Sequence, residues 1–210
     1  MRLELDRARA RLVDGAGRRF DAAARAWVAD AASGGTRVSL REAVAWLQRE
    51  SGAPLREPIG IVGPREASAE QLAAAETIGG GLARMGLAVL CGGREGVMAA
   101  VARGVAKERG VSIGLLPEAD AHAANPHLSV VLPTGLGEAR NAIIARASFC
   151  LVAIGDSYGT LSEVALGLQF GKKVFGLAGA PAVRGVRTCA DPESALSAVA
   201  GLVLALADDS

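Results

Sequence analysis

Arg140 and Glu163 are the two charged residues whose settings suggest chemistry. Arg140-Asn141 opens an apolar helical stretch. Ile143 and Ile144 follow three and four positions on, so Arg140 shares their helix face and turns toward a core. An arginine placed there takes an anionic partner. Glu163 ends the run Gly159-Thr160-Leu161-Ser162-Glu163, which permits two uses. It is either the third residue of a capping box begun by Thr160, or a carboxylate set deeper than the anion site, since one beside the anion would be repelled. The run between them is the apolar stretch Phe149 to Ile154, then the small-residue turn Gly155-Asp156-Ser157-Tyr158-Gly159. A buried strand, a tight turn and a helix start together bind anions, because the first helical N–H groups are unpaired and the helix dipole favours negative charge there. The expected donors are the N–H groups around Gly159, Thr160 and Leu161. A second turn, Gly92-Gly93-Arg94-Glu95-Gly96, follows the apolar run ending at Cys91, and a third begins at Gly63-Pro64. Neither GxGxxG nor GxxxxGK[ST] is present, and tight strand-to-helix turns need glycine even without a ligand.

The elements that carry these turns alternate. From Pro58 onward, short apolar runs at 59–62, 87–91, 111–116, 128–132, 149–154 and 173–177 are separated by helical patterns, one of them opening at Ser68 with Gln71 completing a box. This spacing predicts an α/β protein with a doubly wound, mostly parallel sheet. In such sheets ligands sit at the carboxyl ends of the strands, where all three turns would converge. Residues 1–55 read differently, as an accessory segment. A β-hairpin turns at Asp14–Gly17, residues 22–32 form a short helix or a strand around Trp27-Val28, and Ser39-Leu40-Arg41-Glu42 caps a helix running to Arg49. The main domain is expected at 56–210.

Composition removes several classes. The net charge of +1 gives no global reason to expect nucleic acid or membrane as partner, so any anion site is local. No apolar run reaches membrane-spanning length. Three widely spaced cysteines without CxxC suggest reduced thiols and a cytoplasmic protein. His122 and His127 lack metal-ligand partners at useful spacing, so no metal is expected, and no Ser-His-Asp or HExxH arrangement is readable. Tyr158 is either core or a surface on which a base stacks.

Three ordered motifs carry a resemblance. Cys91-Gly92-Gly93-Arg94-Glu95-Gly96-Val97-Met98, Arg140-Asn141 and Gly159-Thr160-Leu161-Ser162-Glu163 resemble the motif set of the Lonely Guy (LOG) proteins, often labelled lysine decarboxylase-like. Within that Rossmann-like superfamily, the molybdenum-cofactor carrier branch is the nearest match, over roughly residues 58–178. The resemblance implies a site with Arg140 and Glu163 as the catalytic pair of a LOG enzyme. It implies ligand contacts at Gly63, Gly92, Gly93, Gly96, Met98, Asn141, Gly155, Tyr158, Gly159 and Thr160. LOG enzymes hydrolyse nucleoside 5′-monophosphates to free base and ribose phosphate, through an oxocarbenium-like state that a carboxylate can stabilise. This chain departs from the family at Cys91, where a glycine is usual, and at Gly155-Asp156-Ser157, where PGG is usual. Asp156 puts a carboxylate near the proposed phosphate. These departures favour a binding or carrier protein for a phosphorylated heterocycle, a nucleotide or the molybdenum cofactor, with no cofactor required for its own chemistry. The alternatives are a nucleoside-monophosphate phosphoribohydrolase and a nucleotide sensor. Lysine decarboxylation has no support, because Lys107, Lys172 and Lys173 are not placed to hold pyridoxal phosphate. The resemblance also implies a homodimer or larger even-numbered assembly with the site near the subunit interface. The glycine-rich helix 69–85 would suit close packing between subunits.

Overall fold

The computed structural model describes residues 2–30 and 34–206. The chain divides into two compact units, one of residues 1–55 with 197–210 and one of residues 56–196.

The first unit is built on five strands, β1 (Leu3–Asp6), β2 (Arg11–Asp14), β3 (Arg18–Asp21), β4 (Ala26–Ala29) and β5 (Thr36–Val38), followed by helix α1 (Leu40–Arg49). The strands pair antiparallel in the order β4-β3-β2-β1-β5. Alternation along β1 buries Leu3 and Leu5 and leaves Glu4 and Asp6 part-exposed. The β2–β3 turn is held by Asp14, whose carboxylate accepts from the N–H groups of Ala16 and Arg18 and from Arg18 Nε at 2.7 Å. The stretch around Trp27 is a strand. Phe20 and Trp27 face one another across β3 and β4 with ring centroids 5.3 Å apart, and Trp27 Nε1 donates to the Leu204 carbonyl. Ser39 and Glu42 form the expected capping box, and α1 buries Ala43, Val44, Trp46 and Leu47.

The second unit carries β6 (Ile59–Val62), α2 (Ala69–Arg84), β7 (Val89–Cys91), α3 (Val97–Lys107), β8 (Ser112–Leu116), β9 (Val130–Pro133), α4 (Asn141–Ala147), β10 (Leu151–Ile154), α5 (Tyr158–Gln169), β11 (Val174–Leu177) and β12 (Val186–Thr188), and α6 (Pro192–Val203) begins in it. Its seven strands are all parallel, in the order β12-β11-β10-β6-β7-β8-β9. The doubly wound sheet is therefore as expected, with one strand more. β12 was not legible because two of its three residues, Arg187 and Thr188, are polar. Leu87 lies in the turn after α2 rather than in β7. Gly86 at φ +79° lets the Leu87 N–H return to the Leu82 carbonyl.

From β6 the chain winds outward through β7, β8 and β9, then returns to the other side of β6 at β10. The switch point between β6 and β10 leaves a crevice beyond their carboxyl ends. The buried strand residues Val62, Leu90, Leu151 and Ala153 pack with Ile144 of α4 and Val164 of α5, which fixes both helices against this end of the sheet. The glycines of α2 serve packing inside the chain. A Cβ at Gly79 would lie 2.2 Å from the Val101 carbonyl oxygen on α3, and one at Gly81 would lie 2.4 Å from Leu196 Cδ1 on α6. They give no argument for contact between subunits.

Candidate functional site

A cavity of about 880 Å³ opens at the switch point, walled by the turns after β6, β7 and β10 and by the start of α4. Its size suits a small organic ligand. Arg140 is the last residue of a 3-10 turn, Gly137–Arg140, that runs directly into α4. Its side chain is 5% exposed. Nη1 donates to Asn141 Oδ1 at 2.5 Å and to Glu163 Oε1 at 3.3 Å, and Nη2 donates to the Gly92 carbonyl at 3.4 Å. Nε is buried without a partner. Asn141 passes the network on: its Nδ2 donates to Ser162 Oγ at 2.9 Å, and Ser162 Oγ donates to the Gly159 carbonyl at 2.7 Å. The guanidinium is thus tied to the first turn of α5. Gly92 is required beneath it, since a Cβ there would sit 2.5 Å from Nη2.

Glu163 is buried, 6% exposed, on α5. It does not cap the helix. Ser157 does, accepting from the Thr160 N–H at 3.1 Å, while the Leu161 N–H reaches the Ser157 carbonyl at 2.8 Å. The helix therefore begins at Tyr158, and Glu163 lies in its second turn, free of the capping box. Burial pushes its carboxyl up to about 8, against the opposing pull of Arg140. Burial also pushes the neighbouring Cys91 thiol up to about 11. The early helix start changes the anion donors as well. The N–H groups of Thr160 and Leu161 are used within the helix, which leaves those of Tyr158 and Gly159, its first two positions, without an intrahelical acceptor.

Residues 56–200 match the profile of the SLOG cluster4 family. The chain belongs to the SLOG cluster4 family. An uncharacterised protein of Archaeoglobus fulgidus is 34% identical over 139 residues, 66% of this chain and 91% of that one. The molybdenum cofactor binding protein of the phototrophic bacterium Rippkaea orientalis is 33% identical, with a TM-score of 0.68 over 71% of this chain and 99% of that one. The molybdenum cofactor carrier protein of Chlamydomonas reinhardtii is 35% identical, with a TM-score of 0.65 over 71% of this chain and 99% of that one. The motif resemblance to the LOG-like superfamily and its carrier branch is thus matched by both family and fold.

In this SLOG cluster4 chain, Gly63, Gly92, Met98, Arg140, Asn141, Tyr158, Gly159, Thr160 and Glu163 all lie on the cavity wall. Gly93, Gly96 and Gly155 do not. They shape the turns behind it, all with positive φ. A Cβ at Gly93 would press on Leu116 and Gly114. One at Gly96 would lie 2.2 Å from the Arg65 carbonyl oxygen, and one at Gly155 2.5 Å from Gln71 Nε2. Tyr158 is not core; it stands 94% exposed at the start of α5. Ile143, expected to face the sheet with Arg140, is 41% exposed, because Arg140 sits in the 3-10 turn and the α-helical spacing does not run through it. The sequence reading missed Arg65, Glu66, Arg94, Glu138, Ser157 and Ser162 as wall residues. Arg94 and Ser157 lie inside the very turns singled out, so turn position was an available signal; Glu138 had none. Arg94 is bonded to Glu118 and lies 3.9 Å from Glu138. Asp156 is on the wall too, so three arginines face four carboxylates there. Among the described residues no cluster of three His, Cys, Asp or Glu could hold a metal ion, and no helix is long and apolar enough to cross a membrane.

Proposed function

We propose that this protein binds a phosphorylated heterocycle, in the first instance a pterin of the molybdenum-cofactor type, and carries it without turnover. The observation that carries this reading is Arg140. It is a buried guanidinium on the wall of a ligand-sized cavity, and its three bonds leave two of its five N–H groups, one on Nε and one on Nη2, unpartnered. A buried unpaired donor is costly, and an anionic ligand oxygen satisfies it. The free N–H groups of Tyr158 and Gly159 start α5 on the same wall and suit a phosphate. The residues present fit such a ligand: Arg140 and the start of α5 would hold the phosphate, and exposed Tyr158 would lie along a ring. The two solved neighbours whose names state molybdenum cofactor binding or carriage support the choice of pterin. The three free, buried cysteines favour a reducing compartment, hence the cytoplasm.

A second reading, a nucleoside 5′-monophosphate phosphoribohydrolase, is favoured by the side-by-side placement of Arg140 and Glu163. It is the weaker one. A carboxyl pushed up to about 8 is mostly neutral at neutral pH, whereas stabilising an oxocarbenium needs the carboxylate. The test is to incubate the protein with AMP, GMP, CMP and IMP and analyse for free base by chromatography. Carriage predicts intact nucleotides; stoichiometric or catalytic release of base establishes the hydrolase instead.

A further inference from the structure

We propose that Glu163 is the proton acceptor of this site: where its carboxyl is ionised, an anion that occupies Arg140 makes it take up one proton from solvent, so that ligand and proton bind together. The inference rests on the reading of the cavity as an anion site and adds what happens inside it.

Ser157 caps α5, so the Glu163 carboxylate is not needed to start the helix. It is nevertheless buried, and among the described residues its hydrogen bond comes from Arg140 alone. That bond is the longer of the two made by Nη1, 3.3 Å against 2.5 Å to Asn141. The ionised carboxylate therefore depends on one cation, held at the edge of hydrogen-bonding range.

The other ionisable groups around Glu163 do not replace that cation. Glu138, on the turn before α4, opposes ionisation. Cys91 on β7 is a neutral thiol, and from the β6, β7 and β10 turns the same cavity receives Arg65, Glu66, Arg94 and Asp156. Arg94 is already bonded to Glu118. An anion that engages Arg140 competes for the one charge compensating Glu163. With the ligand filling the cavity, this buried carboxylate is not rehydrated, so it neutralises by protonation. The balance is simple: one proton leaves solvent and forms the carboxyl O–H, and no other bond is made or broken. The neutral carboxyl then gains a donor, which can serve a ligand oxygen. Burial already holds its titration near 8, so the uptake falls in an accessible pH range.

The experiment uses sulfate, whose charge is constant across the range tested. Sulfate is titrated calorimetrically into the wild type, Glu163→Gln and Arg140→Ala, from about pH 6.5 to about pH 9.5, in pairs of buffers that differ in protonation enthalpy. The expected wild-type affinity is flat below about pH 8 and falls about tenfold per pH unit above it, while the proton count rises from near zero to one per sulfate. Glu163→Gln is expected to show neither effect. Sulfate that needs Arg140 but binds the wild type with no proton uptake above pH 8 overturns the proton link alone. Sulfate that binds Arg140→Ala as tightly as the wild type overturns the anion-site reading and the proton link with it. The proton count in the wild type decides the matter even where a variant folds poorly.

Discussion

Removing Arg140 is expected to cost stability in a way that grows with pH. The loss reaches folding because the side chain is buried and bonded to Asn141, Glu163 and Gly92. Above about pH 8, where Glu163 is ionised, breaking this buried ion pair from one side costs about 3–5 kcal/mol, less whatever the stranded carboxyl recovers by protonating. The sign follows from Glu163. Its folded value of about 8 lies above the ordinary 4.5, so its contribution is fully present at low pH, falls as pH rises above 4.5, and levels off above about 8. In Arg140→Ala the attraction that lowers it is gone, so the folded value rises further and stability keeps falling past pH 8. One pH unit is worth about 1.4 kcal/mol, so by about pH 9.5 the variant should have lost about 2 kcal/mol more than the wild type. Urea denaturation at about pH 6, pH 8 and pH 9.5 reads this directly, in both the wild-type and the Glu163→Gln backgrounds. The expected result is a stability gap that widens with pH in the first background and stays constant in the second. A gap of equal size at every pH in the wild-type background would refute the coupling of the two residues.

Three further outcomes are expected. Gly92→Ala places a Cβ 2.5 Å from Arg140 Nη2, so the guanidinium must shift and sulfate affinity should fall by about tenfold, the worth of one charge-assisted hydrogen bond; isothermal calorimetry checks it, and wild-type affinity would contradict it. Ser157→Ala removes the true cap of α5 and should cost about 1 kcal/mol in denaturation, whereas Thr160→Ser, which keeps a hydroxyl, should cost less. Light scattering at micromolar concentration is expected to find a homodimer or larger even-numbered assembly, and a monomer would count against it.

The scaffold was legible because parallel strands buried on both faces read as unbroken apolar runs, as at Ile59–Val62 and Leu151–Ile154. Capping boxes at Ser39 and Ser68 marked two helix starts correctly. The start of α5 was not legible, since Ser157 with Thr160 and Thr160 with Glu163 offer competing caps three residues apart. The short turn at Gly155, with φ +70°, starts the helix early and selects Ser157. Arg140 and Glu163 could be named from motifs, but not their depth or the bonds that run from Arg140 through Asn141 to Ser162, which arise where α4 packs on α5. Much of the remaining wall comes from side chains outside the motifs, Arg65, Glu66 and Glu138 among them, brought together by the reversal of strand order between β6 and β10. Strands β5 and β12 went unread because three-residue edge strands with polar side chains leave no apolar pattern.

The central claim is that this cavity holds a phosphorylated heterocycle through Arg140 and gives it back unchanged. Its most direct test is a calorimetric titration of the wild type and Arg140→Ala with molybdenum cofactor, followed by chromatography of the recovered ligand. The account predicts saturable binding to the wild type, affinity about ten- to 150-fold weaker in the variant, and intact ligand in both. Equal affinity in the two proteins, or a cleaved ligand, would contradict it.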